Sequence, residues 1–131
     1  MKILVVHREV AVAHQVKSIL HASETVVRYF NSGLDALLAG RVEKFDFIIC
    51  GTDLPVITGF ELIRSLRLNS INTIVPVVFI ADEVNTKSEH LVNVLGGARM
   101  LARGVVEYEL APLMNATADS WRSLGEKRQK I

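Results

Sequence analysis

The chain is poor in the residues that staple, anchor or steer a protein. Its 131 residues include one cysteine, Cys50. No internal disulfide can form, a closed cysteine-based metal site lacks its other sulfur ligands, and a reducing compartment is expected. No apolar run reaches the ~18 residues of a membrane-spanning helix, and the opening run Ile3 to Val6 is too short for a signal-peptide core. Neither sign of charge dominates: 15 Lys and Arg against 14 Asp and Glu give a formal charge of +1. No global field therefore selects nucleic acid or an anionic membrane, and neither is an expected partner of this domain alone. The expected location is cytoplasmic. Phosphate-cradling glycine motifs are missing too. Neither GxGxxG nor GxxxxGK followed by Ser or Thr occurs, and there is no GxSxG nucleophile elbow. Dinucleotide, P-loop and hydrolase chemistry lose their usual carriers, and no catalytic residue, cofactor or metal is expected.

What is present suits one domain around one core: 50% of residues are hydrophobic and 22% charged. Short apolar runs at Ile3 to Val6, Thr25 to Tyr29, Phe45 to Cys50, Val75 to Ile80 and Met100 to Ala102 read as strands, the second interrupted by Arg28. Uninterrupted Val/Ile/Leu/Phe runs belong to strands covered on both faces. Helical segments lie between them. Val12, Val16, Ile19 and Leu20 form one stripe, and Leu34, Leu37 and Leu38 mark a second helix. Capping boxes, in which a hydroxyl takes an orphan amide and an acid three residues on reaches back, predict helix starts at Thr58 with Glu61 and Thr86 with Glu89. Ser32 with Asp35 is a weaker version. Pro112 would clash with a preceding helical turn, so the last helix is expected to begin near Ala111 or to kink there.

Strict alternation of five strands and five helices predicts a doubly wound α/β fold, a five-stranded parallel sheet with helices on both faces. The domain is expected to span residues 1–124, with 125–131 a charged tail. Binding sites in such sheets lie at the carboxyl edge, which directs attention to the loops after Val6, Cys50, Ile80 and Ala102.

The stretch from Phe45 to Leu62 is the most specific in the chain. Its strand opens with Asp46, Pro55 follows four residues past the strand end, and Gly59 stands at the next helix start. With Pro76-Val77-Val78 in the fourth strand and Gly97-Ala98 before the fifth, this pattern resembles the receiver domain of two-component response regulators over Lys2 to Leu124. The resemblance implies a flavodoxin-like fold and a role in phosphorelay signalling. It also implies a phosphoaccepting aspartate at the end of the third strand, a position that is Gly51 here. The family's two Mg²⁺-holding acids correspond to His7 and Arg8, its switching hydroxyl to Ala81, its lysine to Arg103, the proline after it to Gly104, and its rotating aromatic residue to Met100. The chain thus resembles a degenerate receiver, or pseudo-receiver, in which every chemical position is changed.

Charge points the same way. Two arginines against the single acid Asp53 would repel the hard cation that assists phosphoryl transfer. Asp53 is expected to pair with Arg8 or Arg103 as a fixed replacement for the metal-bound state, since Arg–carboxylate pairs can be bidentate. His7 is expected to be a hydrogen-bonded loop histidine, His14, His21 and His90 surface or interface polar groups, and Cys50 a small buried hydrophobe. The preferred function is a non-enzymatic, phosphorylation-independent interaction module with a signalling protein as partner. A homodimer through the fourth helix, fifth strand and fifth helix is one arrangement, with Gly104 and Trp121 as interface candidates. Two alternatives stand beside it: an active receiver with Asp53 as displaced acceptor, and a small-anion sensor built on Arg8 and Arg103.

Overall fold

A computed structural model describes residues 1–20 and 25–115. Five parallel strands, β1 (Lys2–Val6), β2 (Val26–Phe30), β3 (Phe47–Gly51), β4 (Val77–Ala81) and β5 (Ala98–Ala102), form one sheet in the order β2-β1-β3-β4-β5. The helices are α1 (Val10–Ile19), α2 (Gly33–Val42), α3 (Gly59–Leu68) and α4 (Thr86–Leu95). A 3₁₀ turn, Arg103–Val105, leads into α5, helical over 106–115. The strand order reverses direction beside β1, the crevice-forming geometry of doubly wound sheets.

Alternation along the strands divides the core in two. Leu4, Val6, Ile48, Cys50, Val77 and Phe79 face α2, α3 and α4, whereas Ile3, Val5, Phe47, Ile49, Val78 and Ile80 face α1 and α5. All residues of β3 and β4 are buried, as strands covered on both faces require. Edge strand β2 is only partly covered.

Several boundaries shift for identifiable reasons. β4 starts at Val77 rather than Val75 because Pro76 has no amide to give the ladder; its carbonyl still accepts from Ile48 N–H at 2.9 Å. β3 starts at Phe47 rather than Phe45: the Phe45 N–H donates to Asn72 Oδ1 at 2.9 Å, and Asp46 Oδ2 accepts from the Lys2 N–H at 2.7 Å. β2 runs one residue later than expected, and β5 begins two earlier, at Ala98. The box predicted for α3 is present, Thr58 and Glu61 exchanging hydrogen bonds. At α4 the box is formed by Asn85 and Ser88, not Thr86 and Glu89. Asn85 is an equally good acceptor one residue upstream, and it leaves Thr86 as the first helical residue. Ser32 is the N-cap of α2, but its side chain makes no capping bond.

The face of α2 also differs from expectation. Leu37 is buried, but Leu34 and Leu38 are exposed, and Gly33, Ala36 and Gly40 take the inner face. A close helix contact explains it, since a Cβ at Gly40 would come within 2.8 Å of the Leu66 side chain on α3. α5 begins at residue 106 rather than near Ala111 and runs through Pro112. Pro112, having no amide, leaves the Tyr108 carbonyl without its usual donor one turn on. Trp121, Leu124 and the tail 125–131 lie outside the described residues.

Candidate functional site at the carboxyl edge of the sheet

Strand register assembles the site. Val6 pairs with Phe30 and Cys50, Gly51 with Ile80, and Ala81 with Ala102. His7, Gly51, Ala81 and Arg103 are thereby brought to one edge of the sheet.

At its centre the His7 side chain packs over Gly51. A Cβ built on Gly51 would lie 2.8 Å from His7 Cδ2 and 3.3 Å from Nε2, so the imidazole occupies the space a side chain at 51 would need. His7 is buried, with 9% of its surface exposed. Its Nδ1 accepts the Glu9 N–H at 3.0 Å, its own N–H donates to the Phe30 carbonyl at 3.1 Å, and its carbonyl accepts the Tyr29 hydroxyl at 2.7 Å. Acceptance at Nδ1 puts the neutral ring's proton on Nε2. Burial holds the His7 pKa below its ordinary value; Arg103 and Arg8 push the same way, against Glu9 and Asp82.

Gly51 is confined from its other side as well. A Cβ at Gly59 would land on the Gly51 carbonyl oxygen, so glycine is what lets α3 start against the end of β3, where the Gly59 N–H donates to the Thr52 carbonyl at 3.1 Å. Cys50, fully buried, has its thiol pKa raised by burial and donates to the Gly51 carbonyl at 3.3 Å. The environment is that of an inert structural cysteine.

Around this core lies a ring of ion pairs. Arg8 Nη1 meets Asp53 Oδ2 at 2.6 Å, one of the two partners expected for Asp53. Arg103 turns elsewhere: it pairs with Glu9 and approaches Asp82 at 3.9 Å. The Arg103 guanidinium holds the Glu9 carboxyl below its ordinary pKa, and Glu9 raises that of Arg103. Glu9 and Asp82 went unnoticed in the sequence, and they overturn the expectation of a net positive pocket. Two arginines face three carboxylates, a formal charge of −1 with His7 neutral. The missed signal was adjacency, since Glu9 follows Arg8 and Asp82 follows Ala81.

Of the remaining candidates, Ala81 shares this edge. Ala81 is buried at the end of β4. Met100, opposite Phe79, packs partly buried against the core and lines a shallow cavity with Glu89, Val92, Asn93, Ala98 and Arg99. Gly104 is exposed, with open space where a Cβ would stand. His14 and His90 are exposed on α1 and α4, away from this edge, and His21 lies outside the described residues. Among the described residues no three His, Cys, Asp or Glu side chains converge as a metal-holding group, and no helix is long and apolar enough to cross a membrane.

Residues 3–110 match the response regulator receiver domain family. The chain belongs to that family. Among similar proteins, CtrA, a cell cycle transcriptional regulator of Caulobacter vibrioides, is 25% identical over 87 residues, covering 66% of this chain and 38% of the relative. The "Probable transcriptional regulator ycf29" of Pyropia yezoensis is 28% identical over 86 residues, 66% of this chain and 39% of the relative. The chain therefore spans less than half the length of these curated relatives. Solved receiver structures share the fold. Chemotaxis response regulator CheY4 of Vibrio cholerae superposes with a TM-score of 0.79 at 22% identity, covering 88% of this chain and 97% of CheY4. A CheY-like receiver from Methanospirillum hungatei gives 0.81 at 16% identity, covering 93% and 96%.

Receivers as a family imply Mg²⁺, and the side chains of this receiver do not fit it. Mg²⁺ needs near-octahedral oxygen ligands that include carboxylate. Here an imidazole and a guanidinium stand directly after β1, and Asp53 and Glu9 are engaged by arginine.

Proposed function

We propose that this receiver domain serves signal transduction as a cytoplasmic, non-enzymatic protein-interaction module whose working state is independent of phosphorylation. One observation carries the reading: the His7 imidazole fills the space over Gly51. By its spacing from Asp46 and Pro55, Gly51 stands where receivers carry the phosphoaccepting aspartate. The acceptor's side chain is missing, and its volume is taken by a ring hydrogen-bonded in place. Ala81 offers no hydroxyl to follow a phosphoryl group, and Arg103 is engaged by Glu9 rather than reaching over Gly51. The elements that would link phosphorylation to a population shift are replaced by contacts that favour one state.

The geometry also bears on the two alternatives. Asp53 is exposed on the β3–α3 loop with its carboxylate on Arg8, outside the recess over Gly51, which argues against a displaced acceptor. Arg8 and Arg103 are each occupied by protein carboxylates, which argues against a free anion cradle. A signalling protein is the partner this reading calls for. Exposed Leu91 and Val94 on α4 and Tyr108 on α5 supply apolar surface for it, and a second copy of the chain is one candidate. Intact mass after incubation with Mg²⁺ and acetyl phosphate tests the reading, with Asp53→Asn in parallel. No phosphoryl increment on folded protein is expected. An increment lost in Asp53→Asn would establish a working receiver with a relocated acceptor.

A further inference from the structure

We propose that His7 is a proton-operated plug: the neutral imidazole fills the recess over Gly51, and the protonated ring leaves it, opening the carboxyl edge of the sheet as the surroundings acidify. This inference does not depend on whether the domain is phosphorylated.

The hydrogen bonding sets up the two states. Nδ1 is the acceptor for the Glu9 N–H at 3.0 Å. A proton placed on Nδ1 turns it into a donor facing a donor, so the bond that holds the ring cannot survive protonation. The recess offers an imidazolium too little in exchange: Glu9 and Asp82 attract it there, but burial, with Arg103 and Arg8, outweighs them. Its floor is Gly51, which brings no side chain, and a buried charge without a partner is costly.

The loops around the recess carry both signs of charge. The ring's own loop supplies Arg8 and Glu9, the β4–α4 loop Asp82, the β5–α5 turn Arg103, and the β3–α3 loop Asp53, held by Arg8. Three carboxylates against two arginines give these loops a formal charge of −1, and it is toward them that the protonated ring would swing. From β2, the Tyr29 hydroxyl clamps the His7 carbonyl, and the Phe30 carbonyl holds its N–H. The backbone is thus fixed, and the side chain is the moving part. Burial already holds the His7 pKa below its ordinary value, so the exchange falls below the ordinary histidine range. Glu9 is also the N-cap residue of α1 and the partner of Arg103. Release of its amide therefore carries the event to the first turn of α1 and to the β5–α5 turn.

The test is an NMR pH titration of the whole chain, following the His7 ring Cε1–H and the amides of Glu9 and position 51. In the unaltered chain the ring should titrate below the ordinary histidine value of about 6.5, and both amides should shift with the same midpoint. Gly51→Ala, which denies the ring its recess, should move the ring's midpoint up toward the ordinary value and give the Glu9 amide its acid-form shift at neutral pH. His7→Asn places an amide oxygen where Nδ1 stood and has no proton to gain, so both amide transitions should vanish. A ring midpoint at the ordinary value overturns the proposal. So do amides that stay silent through the ring's transition, or amide transitions that persist in His7→Asn.

Discussion

Packing of His7 over Gly51 predicts that one substitution changes sign with its background. In the unaltered chain, Gly51→Ala puts a methyl 2.8 Å from His7 Cδ2 and 3.3 Å from Nε2. A ring hydrogen-bonded through Nδ1 can yield only by losing the Glu9 bond. Overpacking of this kind costs about 1–3 kcal/mol. Gly51 lies in a strand without positive φ, so alanine fits the backbone and recovers about 0.4–1 kcal/mol by stiffening the unfolded chain. The net effect is destabilisation of ~0.5–2 kcal/mol. After His7→Ala the methyl meets no ring, and the same substitution should stabilise by about 0.4–1 kcal/mol. The two backgrounds then differ by ~1–3 kcal/mol, the coupling expected of residues in direct contact. Urea unfolding followed by circular dichroism measures it, with midpoints compared at constant m. A Gly51→Ala effect of the same sign in both backgrounds, with coupling under ~0.5 kcal/mol, would refute the claim that the ring occupies the recess.

Three further outcomes follow from other contacts. Because the His7 pKa is lowered on folding, the unfolded chain binds more protons between the folded value and about 6.5. His7's contribution is therefore complete above that window and is lost as pH falls through it, so the stability difference between the unaltered chain and His7→Asn should shrink on acidification; a difference flat across the window would count against the burial. Val56 is 86% exposed at φ 71, the centre of a γ-turn closed by Ile57 N–H to the Pro55 carbonyl at 2.9 Å. A β-branched residue is strained there and asparagine much less so, so Val56→Asn should stabilise by about 1 kcal/mol and raise Tm by ~3–5 °C; a lowered Tm would contradict this. Buried Asn72 accepts from Phe45 N–H and donates to the Gly40 and Glu43 carbonyls at 2.6 and 2.8 Å. At about 1 kcal/mol per bond plus the penalty for groups left unpaired, Asn72→Ala should cost ~3–4 kcal/mol in urea unfolding, and a loss under ~1 would show the clamp to be dispensable.

Patterns that depend on one strand or one helix turn were readable in the sequence; packing contacts between elements were not. The five apolar runs fell on the five strands: β1, β3 and β4, buried on both faces, cannot hide their composition, whereas the partly covered edge strand β2 carries Arg28 within its run. Thr58 and Glu61 were legible because both ends of a capping box lie within one turn. The inner face of α2 was illegible from periodicity alone: Gly33 and Gly40 are inside because Ile57 and Leu66, far along the chain, press against them. Asn72 likewise looks like an ordinary loop residue until three segments converge on it.

At the site the same division explains what was missed. Arg8 and Asp53 could be matched because each stands in a strand-end loop, yet these exposed pairs are individually weak, and the Arg8–Asp53 bridge is worth under about 1 kcal/mol. They cannot be what fixes the edge. What fixes it is the buried contact between the least conspicuous residue in the motif, Gly51, and a histidine 44 positions away. A glycine where a carboxylate is expected reads as a simple loss when the sequence is taken alone. Set against His7, it is one half of a packed pair, and neither half makes physical sense without the other. A side chain at 51 would evict the ring, and the ring's absence would leave a hole above the glycine. On the proposed reading, Gly51→Asp alone is therefore not expected to create a phosphoacceptor site, because its side chain would meet the imidazole.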